Sequence, residues 1–148
     1  MYTTNTNLGG WDGSLIREWL NGSLYPALPS IWKAIIAPSI TLADKGNSND
    51  ILRSTDYLRI PSRAELGWDT TSTPYMQEVS ANAHEITFSC YTDNNSRIKK
   101  VYTGTATDWW LRSAYASGTT NFWNVTANGG GSNYYANASK GVCVGFSV

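Results

Sequence analysis

Residues 109–148 read WWLRSAYASGTTNFWNVTANGGGSNYYANASKGVCVGFSV, and within them residues 113–139 contain no Asp, Glu, Lys, Arg or His. Nineteen of those twenty-seven positions are Gly, Asn, Ser, Thr or Tyr, and Arg112 and Lys140 bracket them. Such a stretch has few groups for acid–base or nucleophilic chemistry, because hydroxyls and phenols need an activating partner. It suits contact: Tyr and Trp cover large areas at small entropic cost, while Asn, Ser and Thr supply adaptable donors and acceptors. A Gly/Asn/Ser/Thr run is also the ordinary composition of a solvated loop. Tyr115, Phe122, Trp123, Tyr134 and Tyr135 speak against a flexible linker, which is aromatic-poor. The flanks DWWLRS and GVCVGFSV are the most strand-like apolar pieces of the chain. The stretch reads as an adaptable, aromatic-studded surface carried by a rigid frame.

Working outward, Val142, Val144, Phe146 and Val148 alternate with Cys143, Gly145 and Ser147, which predicts a buried C-terminal strand with its apolar side inward. Further strands are expected at 36–42, 57–60, 85–91, 99–103, 109–113 and 122–126. Trp109 and Trp110 are adjacent and point to opposite faces, one expected in the core and the other near the binding face. Arg112 is expected to pair with a carboxylate such as Asp108 or one from the helices. Near the N-terminus, Leu15, Ile16, Trp19 and Leu20 gather on one helical face, with Arg17, Glu18 and Asn21 pointing away. Asp12 or Ser14 is the expected cap and Asn21-Gly22 the expected stop. Ile31, Trp32, Ile35 and Ile36 repeat the pattern between Pro29-Ser30 and Pro38. These two short helices are expected to share a core that takes in Trp11, Trp19 and Trp32. Ser62-Arg63-Ala64-Glu65 has the form of a capping box and predicts a third helical turn. Residues 44–50 and 67–84 are polar excursions, with His84 in the second.

Length and composition bound the rest. The 148 residues, 41% of them hydrophobic, fit one domain spanning 1–148. Eleven basic residues balance eleven acidic ones without a charge run, so no field draws the chain to nucleic acid or an anionic membrane. The longest apolar runs fall far short of the ~20 residues of a membrane helix, and MYTTNTNLGG lacks the pattern of a signal peptide. Cys90 and Cys143 read as buried free thiols, since no C-x-x-C is present, and one histidine is too few for a zinc site. No metal, cofactor or catalytic residue is expected.

Taken as a set, GGWDGSLIREWLNG (residues 9–22), LRIPSRAE (58–65), DNNSRIKK (93–100), WWLRS (109–113) and GVCVGF (141–146) resemble a bacterial and phage domain with a C-type-lectin-like fold. The order WWLRS, an Asn/Ser/Tyr-rich segment, then G-V-x-x-G-F is similar to the variable proteins of diversity-generating retroelements in gut bacteria and their phages. Ala114 stands where relatives commonly have Pro, and GVCVGF stands where many non-variable relatives have GVRPAF.

The resemblance implies an α+β, C-type-lectin-like fold: two N-terminal helices packed on small antiparallel sheets with long loops. It implies that a reverse transcriptase rewrites the gene's 3′ end at adenines, scattering Asn codons among Tyr, Ser, Thr, Asp, Gly and Ala. Such codons cannot become Lys, Glu, Gln, Met or Trp; residues 113–139 lack the first four, and Trp123 reads as a fixed position. The implied ligand face is Tyr115, Ser117, Thr119, Thr120, Asn121, Trp123, Asn124, Thr126, Asn128, Ser132, Asn133, Tyr134 and Tyr135. Its partner is a protein or cell-surface ligand, met from a phage tail or a bacterial surface. The alternative is a non-variable adhesin or structural lectin-like domain. An enzyme is not expected: related oxidases that generate formylglycine use paired cysteines, and Cys90 and Cys143 are not closely spaced. Calcium-dependent sugar binding is not carried over either, since E-P-N and Q-P-D are absent.

Overall fold

The computed structural model describes residues 1–48, 50–68, 87–115 and 117–148. His84 and most of the 67–84 excursion lie outside the described residues, as do the first two residues of the expected 85–91 strand; residues 87–91 form a turn.

Ser14 opens α1 (Leu15–Trp19) by accepting a hydrogen bond from the Arg17 N–H at 3.2 Å. The helix then runs through Asn21-Gly22 as a widened π-turn (Leu20–Leu24) and a last α-turn, α2 (Tyr25–Ala27). Asn21 does not stop it because its amide is engaged elsewhere. Its Oδ1 accepts from the N–H groups of Tyr57 and Leu58, and its Nδ2 donates to Leu58 O, at 2.8 to 3.0 Å. Arg17 likewise turns inward, with Nε 2.7 Å from the buried Asp56 carboxylate, which also accepts from Trp11 Nε1 and Ser54 Oγ. The helix therefore docks by polar side chains as well as by Leu20 and Ile16, and Trp19 is left 49% exposed. In α3 (Ser30–Ile35) Ile31, Trp32 and Ile35 are also open to solvent, and of that apolar set only Ile36 reaches the core. Of the helical core expected from spacing, Trp11, Leu20 and Ile36 are buried and Ile16 packs against them half-buried, while Trp19 and Trp32 stay exposed.

Strands β1 (Ser39–Asp44) and β2 (Ile51–Asp56) form an antiparallel hairpin around residues 45–50. β2 escapes a search for alternating apolar residues because Ser54 and Asp56 are the ones it buries. Residues 57–60 form no strand, and Arg59 makes an isolated bridge to Gly145. A capping box at Asp93 opens α4 (Asn94–Arg97), which leads into the small pair β3 (Lys99–Lys100) and β4 (Ala106–Thr107). The third sheet is β5 (Trp109–Ala114), β6 (Asn121–Val125) and β7 (Gly131–Tyr135), antiparallel in that order. The chain is therefore α+β, with short helices and small antiparallel sheets.

Both faces of the third sheet are covered. Trp110, Ala114 and Phe122 join Trp11, Leu20 and Ile60 on one side; Trp109, Leu111 and Val125 meet Leu66 on the other. Both tryptophans are consequently 1% exposed, neither facing solvent. Arg112 is wholly buried, but its carboxylate partner is Glu65 at 2.6 Å, while Asp108 pairs with Lys140 at 2.7 Å. Glu65 closes the predicted capping box: its Oε2 accepts from the Ser62 N–H at 2.8 Å, and its own N–H donates to Ser62 Oγ at 3.1 Å.

Residues 142–148 keep the predicted period but invert it. Val142, Val144, Phe146 and Val148 point outward, while Cys143, Gly145 and Ser147 face the protein. The segment is attached by single bridges, Trp109 to Gly141, Arg59 to Gly145 and Ala37 to Ser147, so the small side chains are those that let its backbone approach closely. Cys143 is half-buried and Cys90 exposed, both as free thiols, so burial of Cys90 is not observed. Among the described residues no group of His, Cys, Asp or Glu is arranged to hold a metal, and no helix is long and apolar enough to cross a membrane.

Candidate binding face

The uncharged stretch is more regular than its composition suggests: β6 and β7 lie inside it. Their register pairs Asn121 with Tyr135, Trp123 with Asn133 and Val125 with Gly131, which puts these side chains on one face. The Val125–Gly131 end is closed, because Trp68 packs against Gly131, where an added Cβ would sit 3.3 Å from the indole. Toward the other end, Asn121 donates to Asn133 Oδ1 at 2.6 Å and accepts from Thr120 Oγ1 at 2.8 Å. The Tyr115 ring meets Trp123 edge-on at 5.8 Å, and the Arg63 guanidinium lies 3.8 Å from the Trp123 ring centre. Tyr135, 54% exposed, finishes this edge. Arg63 supplies a cation to an otherwise neutral cluster, at a distance suited to attraction by the ring.

The other expected contact residues separate from this cluster, except that the Tyr134 ring meets that of Tyr135 edge-on at 5.6 Å. Ser117 and Thr119 are exposed on the β5–β6 loop, and Thr120 is half-buried there. Ser132 and Tyr134 are carried on the opposite face of β7, across from Asn124 and Phe122, with the Lys140 ammonium 4.3 Å from the Tyr134 ring centre. Thr126 and Asn128 spend their side chains on the β6–β7 turn, where Thr126 Oγ1 donates to Asn128 Oδ1 and lies 3.0 Å from Gly130 O. Asn124 is 1% exposed and reaches Asp108 at 3.5 Å, so it belongs to the interior and not to a contact surface. Ala114 is also fully buried, which makes it part of the core.

What holds the face in place comes largely from outside the stretch. Asn7, fully buried, directs its Nδ2 at the main-chain oxygens of Tyr115, Gly118 and Asn121, at 2.9, 2.8 and 2.9 Å. Its own N–H donates to Thr119 O at 2.8 Å. Asp108 Oδ1 accepts from the Ala127 N–H at 2.8 Å and so fixes the far loop. Gly129 adopts φ +82° in that loop, and a Cβ there would stand 1.8 Å from Asn94 O. Every one of these contacts is made to backbone. Sequence pattern missed Asn7 because its partners lie more than a hundred positions away and leave no local periodicity. Arg63 and Trp68 were hidden for the same reason.

Two phenols near the frame are perturbed. Tyr2 is pushed up to about 12 by burial and by the charge of Asp12, and its hydroxyl donates to Gly10 O at 2.9 Å. Tyr91 is raised further by burial and by Cys143, whose sulfur lies 3.9 Å from the phenol oxygen. A separate cavity of about 350 Å3 beside Cys143 is bordered by Lys99, Lys100 and Trp109 and holds none of the expected contact residues.

The family model described as Domain of unknown function (DUF6273) matches residues 1–148, and the chain belongs to that family. No curated protein and no solved structure matches the chain.

Proposed function

From that membership, which assigns no activity, we propose that the chain is a ligand-binding display module with a C-type-lectin-like fold. Its contact surface is the open edge of β6–β7 with the 115–120 loop, and the segment is diversified by adenine-directed retroelement mutagenesis. The observation that carries this reading is the way the face is anchored. Asn7, Asp108 and the Gly129–Asn94 approach hold carbonyls, N–H groups and a glycine, so the side chains of Tyr115, Asn121 and Asn133 are free of the task of shaping the loops. A preorganised backbone with interchangeable side chains is how a recognition surface gains variety without new ordering cost. Display on a phage tail or bacterial surface, toward a protein or cell-surface ligand, follows from the same resemblance. The chemistry is contact, not catalysis: the open cluster offers aromatic rings, amides and one guanidinium.

The coding DNA tests this reading directly. A near-copy of the segment encoding residues 109–148, differing mainly at adenines and lying near a reverse transcriptase gene, is the expected result. Codon differences should fall on Tyr115, Ser117, Thr119, Asn121, Asn133 and Tyr135 and spare Asn124, which is buried. Absence of any such copy overturns diversification and leaves a fixed adhesin or structural domain. That second reading draws on the side-chain bonds inside the stretch itself, Asn121 to Asn133 and Thr126 to Asn128, which a freely varied face would not conserve in every version.

A further inference from the structure

Six large apolar side chains lie open on two adjoining segments. Ile31 (71% exposed), Trp32 (46%) and Ile35 (50%) come from α3; Val144 (39%), Phe146 (40%) and Val148 (87%) come from the C-terminal segment. The two segments are joined, since the Ala37 N–H donates to Ser147 O at 2.9 Å and the Trp32 and Phe146 rings meet edge to face at 6.0 Å. Where they meet, a groove of about 230 Å3 is lined by Leu24, Leu28, Ile36 and Leu58 together with Trp32, Val144 and Phe146, and among the described residues no charged side chain lines it.

We propose that this face is the docking site for a second copy of the chain. Size favours it first. Taking about 150–250 Å2 for a fully open large side chain, the six present roughly 600 Å2. That stands at the upper limit of the largest apolar patch on a typical monomer, about 300–600 Å2, and approaches the ~800 Å2 that each partner contributes to a standard interface. Shape is the second reason. Ile31 and Ile35 are four residues apart on α3 and make a ridge beside the groove that Trp32 and Ile36 line. A two-fold axis brings one patch against itself, so the ridge of each copy meets the groove of the other. Charge is the third. A self-contact excludes like charges face to face, and Lys33, the only charged side chain of α3, directs its ammonium to Pro26 O of its own chain at 3.1 Å. The proposal is independent of the β6–β7 face, none of whose residues lines this groove.

Sedimentation velocity on the whole chain, over a range of concentrations, tests it. The expected species has twice the 16.3 kDa mass of the single chain. Ile31→Asp and Val148→Asp change side chains already 71% and 87% exposed, so both variants keep the parent circular dichroism spectrum. Each is expected to weaken self-association by about tenfold or more. Tyr102→Asp, at a fully exposed position off the face, leaves it unchanged. A wild-type chain that sediments at single-chain mass throughout overturns the proposal. So does a dimer that neither aspartate weakens, since another surface then forms it.

Discussion

Asn7 shows how much one amide can do when its partners are backbone. Its Nδ2 reaches three carbonyls of the 115–121 segment from a fully buried position. Asn7→Ala strips those acceptors of their donor and should cost about 2–4 kcal/mol in urea unfolding. Tyr135→Ala, at a half-open edge position, should change stability by no more than about 0.5 kcal/mol while weakening whatever binding the face supports. The contrast between the two separates frame from contact surface. Tyr2 belongs to the frame as well. Its phenol is raised in the folded state, so the neutral form is the one the fold favours. Stability is intact below the ordinary value of 10 and falls as pH rises from there through about 12. Tyr91 adds to the loss in the same direction. Urea midpoints measured on either side of pH 10 check this, and Tyr2→Phe should flatten the slope while losing the bond to Gly10 O.

At the scale of elements, the capping turn at 62–65 and β5 are locked by one carboxylate. Glu65 satisfies the Ser62 N–H and the buried Arg112 guanidinium together, with Arg59 at 3.7 Å. Glu65→Gln keeps the shape and removes the negative charge that faces the buried Arg112 guanidinium at 2.6 Å. The expected loss is about 3–5 kcal/mol by thermal or urea melt. Gly129→Ala should fail in a different way, since a Cβ at φ +82° would run into Asn94 O and push the β6–β7 turn off α4. A loss above about 2 kcal/mol is expected there, read by the same melts. Sequence revealed these elements unevenly. WWLRS and the Ser62–Glu65 capping box were legible because their signals are local: an apolar run and a side chain three residues from its donor. β2 was not, because it buries Ser54 and Asp56. For residues 142–148 and α3 the period was legible and the side facing solvent was not. Periodicity fixes which side chains share a face, but what covers that face is decided by distant chain. In the same way the contact residues could be gathered into one stretch, yet only the structure showed that Asn124 points inward and that Tyr134 and Tyr135, on opposite faces of β7, still meet ring to ring at 5.6 Å.

For the whole molecule, two surfaces differ in chemistry. One is polar and aromatic with the Arg63 guanidinium, and presents β6 and β7; the other gathers the open apolar side chains of α3 and the C-terminal segment. If two copies join through the second, every particle carries two copies of the first. Linked sites bind a repetitive surface more tightly than either alone, by a factor set by their effective concentration. The dimer-breaking Ile31→Asp should therefore reduce retention on a dense ligand surface while leaving binding to a single soluble ligand unaltered, a difference that surface-based and solution titrations read separately.

The joints that close the fold connect its earliest residues to its latest. Tyr2 donates to Ala136 O, Asn7 to Thr119 O and Ala37 to Ser147 O. Each of these pairs spans more than a hundred positions, so closing the fold means closing long loops, which slows folding. Loss of the residues from 136 onward is therefore expected to be felt at the N-terminus as well, where the Tyr2 N–H loses its acceptor while the hydroxyl keeps its bond to Gly10 O.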